Sequence, residues 1–343
     1  MKYEWLEKKI QESYKVLRLA AEMSLEYYHK PLLIMYSGGK DSDVLLQLAI
    51  ECLDKNAFEV MNSHTTVDAP ETVYYIRDRF KELEAQGIKT TIHIPHDKDG
   101  NPITMWNLIV KKLMPPTRLS RYCCQYLKEV NTPNRFVALG VRKDESTGRR
   151  GRDVFATYGR TKKDAYYYYY YYSHVEEVYN TDKRWRERER VTANTESVLD
   201  CTLITKAKRN ENLICNAIYE WTDNDIWTFI EERGMKYNPL YDKGFKRVGC
   251  IGCPLAGKDQ AREFALYPKY KENYIKAFDR MLEARRKLGK NDVTGKTGLN
   301  RWTDGNVVFR WWTRDDSIDG QIELTDYLQE MEEKDDNTNK DRT

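Results

Sequence analysis

Two groups of residues in this 343-residue chain are of types and spacings that do chemistry. The first is Tyr36-Ser37-Gly38-Gly39-Lys40-Asp41-Ser42. The apolar run Leu32-Leu33-Ile34-Met35 ahead of it, bounded by Pro31 and the glycines, predicts a buried parallel strand. Residues 43–50 have helical spacing, with Ser42 as the expected N-cap. Strand, glycine-rich turn and helix start aim backbone N–H groups and a helix N-terminus at an anion. Gly38 and Gly39 let the backbone come close and take unusual dihedrals, and Lys40 adds a point charge. An ordinary turn containing Gly-Gly is the plain alternative; Lys-Asp-Ser at the helix start favours a phosphate site.

The second group is cysteine. Cys123-Cys124 stands in Arg121-Tyr122-Cys123-Cys124-Gln125, and Gly249-Cys250-Ile251-Gly252-Cys253-Pro254 lies far along the chain. Seven cysteines with no export-type apolar leader argue against a disulfide framework and for metal or redox chemistry. Either pair alone is as readily buried filler. Together they offer four soft thiolates, the donor set of an iron–sulfur cluster or of structural zinc. Cys52, Cys201 and Cys215 sit in apolar surroundings and read as packing residues.

The elements that must position these groups follow a strand–helix alternation. Residues 4–28 repeat apolar positions at helical spacing. Strands are expected at 57–61, 90–95, 135–141 and 213–218, with a helix over 71–84 and another over 223–230 capped by Thr222 or Asp223. This pattern predicts an α/β fold built on a doubly wound parallel sheet. Ligands of such sheets lie beyond the carboxyl ends of the strands. Thr65 and Asp68 after the second strand, and Gly140, Arg142, Glu145 and Ser146 after the fourth, are therefore candidate ligand-binding residues. Arg142 can fork onto a phosphate or sulfate. His64 reads equally well as a satisfied loop histidine. Residues 258–288 are mostly helical by pattern, and the polar residues 330–343 read as a disordered tail.

Composition sets outer limits. Forty per cent hydrophobic residues support a real core, and no stretch approaches the ~20 apolar residues that span a membrane. A cytoplasmic protein is expected. The net charge of +3 does not by itself argue for nucleic acid. Arg and Lys crowd residues 142–190, a solvated face or a nucleic-acid footprint. The seven tyrosines at 166–172 suit packing better than base stacking.

The Ser37–Ser42 loop lacks the spacer of a Walker motif and resembles the SGG-x-DS loop of the PP-loop superfamily. Gly140-Val141-Arg142-Lys143-Asp144-Glu145-Ser146 resembles the G-x-R-x-x-E-S motif of the phosphoadenosine phosphosulfate reductase family. Trp221-Thr222-Asp223-Asn224-Asp225-Ile226-Trp227 and Asn238-Pro239-Leu240-Tyr241 are similar to further segments of that family. The paired cysteines resemble its iron–sulfur members, adenosine phosphosulfate reductases and sulfur-transfer relatives, one of which acts in DNA phosphorothioation. The resemblance implies a PP-loop domain over 31–257, preceded by a helix over 1–30 and followed by a helical extension over 258–329. It implies an adenine nucleotide, ATP or phosphoadenosine phosphosulfate, on Ser37 to Ser42, with Lys40 and Asp41 catalytic and Mg²⁺ neutralising charge. It implies a 4Fe–4S cluster on Cys123, Cys124, Cys250 and Cys253, with structural zinc as the alternative. Partners would be a sulfur donor protein and an acceptor, possible acceptors including nucleic acid; no membrane is involved. Family reductases carry a nucleophilic cysteine in a Glu-Cys-Gly stretch near the C-terminus, whereas no cysteine follows Cys253 in these 343 residues. ATP-dependent, adenylylating sulfur transfer is therefore the leading expectation. A reductase using an external thiol, and a nucleotide-binding protein without turnover, stand behind it.

Overall fold

The structure, a computed structural model, describes residues 3–118, 120–128, 135–145, 154–158, 212–257, 259–289, 293–294 and 300–313. Ser146, Cys201, the tyrosines at 166–172, most of the basic stretch and the tail at 330–343 lie outside the described residues. The chain divides into two compact units, residues 1–103 with 121–250, and residues 104–120 with 251–343. These units do not follow the expected boundaries. The N-terminal helix belongs to the first, and residues 104–120 join the C-terminal part.

The first unit is an α/β layer structure. Helix α1 (Glu4–Tyr28) precedes β1 (Leu32–Met35), α2 (Lys40–Cys52), β2 (Phe58–Ser63), α3 (Pro70–Ala85) and β3 (Thr90–His93). The sheet order is β3-β2-β1-β4-β6-β5, with β4 at Phe136–Ala138, β5 at Phe155–Tyr158 and β6 at Asn212–Cys215. Five strands run parallel, and β5 pairs antiparallel with β6 at the edge. β1 carries apolar residues on both faces because both are covered. Leu32 and Ile34 join a core with Leu17, Val44, Leu48 and Phe229, while Leu33 packs with Val137, Leu139 and Ile214.

The chain leaves β1 towards β2 and β3 and then returns to β4 on the other side. The loops after β1 and β4 therefore part, opening the crevice in which such sheets hold ligands. After β6, Thr222 caps a helix (Asp223–Glu232) in a reciprocal box. Its side chain accepts from the Asp225 N–H at 3.2 Å, and Asp225 accepts from the Thr222 N–H at 2.6 Å. Lys9 adds an ion pair to Asp225 at 2.5 Å.

The second unit is helical, with helices at Met105–Lys112, Asp259–Leu266, Pro268–Lys287 and Gly305–Thr313. The mostly helical region expected over 258–288 consists of two helices that meet at Tyr267, because Pro268 cannot continue a helix and opens the next at its first turn. Its core is aromatic, built on Tyr274, Phe278, Trp312, Phe264 and Phe309. Among the described residues no helix is long and apolar enough to cross a membrane.

Candidate nucleotide site

Where β1 and β4 diverge, a cavity of about 550 Å³ opens. Ser37, Gly39, Lys40, Asp41 and Ser42 line it from the loop, Thr65 and Asp68 from the end of β2, and Gly140, Arg142 and Glu145 from the end of β4. The parallel topology thus brings ten candidate residues from three strand ends to one place.

The loop conformation departs from the expectation at two points. Gly38 takes φ +72°, and a Cβ there would meet Ile76 Cγ1 at 2.8 Å. Gly39 is extended, with φ −96° and ψ 157°, and is itself the N-cap of α2. Only the first glycine is therefore demanded by backbone conformation. Ser42 lies inside the first turn and is not the cap. Its hydroxyl donates back to the Gly39 carbonyl at 2.8 Å and accepts from the Ser37 N–H at 3.3 Å, which staples the loop shut. Asn238 donates to the Gly38 carbonyl and to Thr72 Oγ1, both at 3.1 Å. The Lys40 N–H donates to the Tyr241 hydroxyl at 3.0 Å. Gly140 lets β4 approach: a Cβ there would sit 3.1 Å from the Asp41 and Ser42 backbone.

The electrostatics centre on two buried cations. Lys40 Nζ lies 2.9 Å from Asp223 Oδ1 and 3.4 Å from Asp41 Oδ2. Arg142 forks onto Asp41 through Nε at 2.5 Å and onto Asp223 through Nη2 at 3.0 Å. Burial alone would raise the Asp223 carboxyl, but hydrogen bonds and charge from Lys40 and Arg142 hold it below its ordinary range. Sequence reasoning missed Asp223 and Tyr241 as site residues. Both stand in quoted family segments, but their place beside Lys40 is set by contacts some two hundred residues apart in sequence. Lys128, Lys246 and Arg247 also line the cavity.

Behind the loop, Tyr36 donates to the buried Asp43 at 2.5 Å. Burial pushes the Asp43 carboxyl from 3.8 up to about 7, against the hydrogen bonds from Tyr36 and Tyr75. The folded state thus holds this proton more tightly than the unfolded chain. Its stabilising effect is complete below about pH 4 and is lost as pH rises to about 7, an upper bound on the order of 4 kcal/mol. Asp43→Asn is expected to flatten the decline in urea-unfolding stability between pH 5 and pH 8. Glu263, which burial also raises to about 7, is common to both proteins and cancels. Equal slopes in the two proteins would show that Asp43 is ionised throughout.

The cysteines are distributed over both units. In the first, Cys123 is half-buried and Cys124 is buried at the start of a π-helical turn, Cys124–Lys128. The Cys250 backbone bridges to Asp68, and its thiol donates to Thr65 Oγ1 at 3.5 Å. Burial pushes that thiol up to about 11, against a partial pull from Lys128. In the second, the turn before Cys253 is fixed by Gly252, at φ +73°, whose N–H donates to Glu263 at 2.7 Å. Four thiols suit iron in kind. Among the described residues, however, no three His, Cys, Asp or Glu side chains converge as ligands of one metal ion.

A glycine-rich loop and two buried cations at the switch point of a parallel α/β sheet make an arrangement suited to an anionic ligand. The phosphoadenosine phosphosulfate reductase domain matches residues 31–256, and the chain belongs to that family. An uncharacterised protein of Methanocaldococcus jannaschii is 25% identical over 290 residues, 81% of this chain and 47% of that protein. An adenosine 5'-phosphosulfate reductase of Mycobacteroides abscessus is 45% identical over 47 residues, 13% of this chain and 20% of the reductase. The match to this chain spans about half the length of the archaeal relative and about a fifth of the reductase. Among solved structures, the U34-tRNA thiolase NcsA of Methanococcus maripaludis with its 4Fe–4S cluster has 15% identity and a TM-score of 0.37, covering 87% of each chain.

Proposed function

We propose that the chain is an enzyme that activates an acceptor with ATP and exchanges the activated oxygen for sulfur. The observation that carries the reading is the pair of buried cations, Lys40 and Arg142, beside the Gly38–Ser42 turn at the switch point of the sheet. In the first step an acceptor oxygen attacks the α phosphorus, the bond to the β phosphate breaks, and pyrophosphate leaves. Lys40, Arg142 and the loop N–H groups would hold the phosphates and stabilise charge building on the leaving group. Mg²⁺ would arrive on the triphosphate. In the second step sulfur from a separate donor at the sulfide level displaces AMP, which carries away the acceptor oxygen. Thr65, Asp68, Gly140 and Glu145 would complete the nucleotide's surroundings, with Ser146 extending the same motif in sequence.

Cys123, Cys124, Cys250 and Cys253 are the thiols we propose for a 4Fe–4S cluster, on donor chemistry and on the two-residue spacing of the second pair. Such a group supplies a soft, sulfur-rich, electron-accepting centre when bound. The second reading, a sulfonucleotide reductase, is favoured by family membership itself. It needs a thiolate nucleophile at the sulfate sulfur. Burial pushes the Cys52 thiol up to about 12 and the Cys215 thiol well above its ordinary value, so both are poor nucleophiles at neutral pH.

Anaerobically purified protein is expected to contain iron and acid-labile sulfide, and to release pyrophosphate from ATP once an acceptor and sulfide are supplied. It is expected to yield no sulfite from phosphoadenosine phosphosulfate with thioredoxin or glutathione. Thioredoxin-dependent sulfite release would overturn the first reading in favour of the second. One zinc per chain without sulfide would overturn the cluster.

A further inference from the structure

Asp223 faces the cations that the proposed function assigns to phosphate, and the inference drawn from it rests on that reading. Lys40 and Arg142 are fixed: their side chains are 8% and 4% exposed. Asp41 is fixed with them, 17% exposed and held by Arg142 at 2.5 Å from within α2. Asp223 differs from all three. Its side chain is 62% exposed although one oxygen reaches both cations, at 2.9 and 3.0 Å.

Among the described residues, the neighbouring contacts hold without Asp223 staying there. The helix it begins is capped by Thr222 and Asp225, and Asp225 is anchored separately by Lys9. Arg142 would still keep Asp41 and the Trp221 carbonyl. A carboxylate in the first turn is also favoured by the helix dipole wherever its side chain points. A phosphate approaching Lys40 and Arg142 therefore meets one anion it cannot move, Asp41, and one it can.

We propose that Asp223 is a displaceable internal anion, which pairs with Lys40 and Arg142 and gives way to a phosphate or sulfate of the nucleotide. It is a positioning residue. It keeps two buried cations aimed and neutralised, and it scales down the affinity of every anion that binds there to the fraction of time it leaves the site free. Release of the product anion is speeded by the same competition.

The test uses the full chain, with inorganic pyrophosphate and ATP titrated calorimetrically in EDTA. Asp223→Asn keeps the hydrogen-bonding oxygen and removes the charge, and should tighten both ligands roughly three- to tenfold. Asp223→Glu keeps the charge and should bind like wild type. Asp144→Asn, at an exposed acid on the same cavity, reports long-range charge alone and should change affinity less. Affinity in Asp223→Asn that falls, stays level, or rises no more than in Asp144→Asn overturns the displaceable anion. Failure of wild type and all variants to bind either ligand, in EDTA and with Mg²⁺ alike, overturns the nucleotide site itself.

Discussion

Arg142→Ala is expected to abolish nucleotide binding and to cost roughly 3 kcal/mol of stability. Arg142 is the residue through which the two halves of the site meet. It stands at the end of β4, forks onto Asp41 in the first turn of α2, and reaches Asp223 on the helix after β6. Removing it leaves Asp41 with Lys40 as its remaining cation partner, at 3.4 Å, and takes the planar fork away from any phosphate. Affinity for ATP should fall by at least about 100-fold, equivalent to nearly 3 kcal/mol. Arg142→Lys restores the charge without the fork, so it should recover part of the stability and little of the affinity. Urea unfolding and calorimetric titration of the three proteins separate the two effects. Wild-type affinity in folded Arg142→Ala would remove Arg142 from the site.

The second large effect separates two glycines that look equivalent in sequence. Gly38→Val puts a branched side chain at φ +72° and into Ile76, so the loop must shift. Left-handed backbone costs an L-residue about 1–2 kcal/mol before any clash. The shift re-aims the N–H groups of the turn, and binding of ATP and of phosphoadenosine phosphosulfate should both be lost. Gly39→Ala is expected to stay within about threefold of wild type, a change worth under 1 kcal/mol. Its Cβ would meet only Ser37 Oγ and the Tyr241 hydroxyl, at an ordinary 3.5 Å. If the two variants bind alike, the loop does not cradle phosphate through its backbone.

Much of this arrangement was legible in the sequence because its causes are local. The apolar run of β1, the Gly-Gly turn and the helical spacing after it announce strand, loop and helix within twenty residues. Parallel sheets place strand ends together, so Thr65, Asp68, Gly140 and Arg142 could be assigned to one crevice from chain order alone. Asp223, Asn238 and Tyr241 could not be, because only tertiary contact brings them to the loop. The cap of α2 was misplaced because Ser42 is a good cap by type, while the extended Gly39 cannot be recognised without its dihedrals. Edge strand β5 runs antiparallel and is four residues long, too short for its alternation to stand out. The paired cysteines are conspicuous in sequence, yet spacing does not determine whether their thiols converge.

Phosphate binding at the Gly38–Ser42 loop is tested most directly by calorimetric titration of ATP into wild type and Gly38→Val. Wild type should bind one nucleotide per chain, inorganic pyrophosphate should compete for the same site, and folded Gly38→Val should give no binding heat. Equal binding by both proteins, or ATP binding that pyrophosphate does not displace, would contradict it.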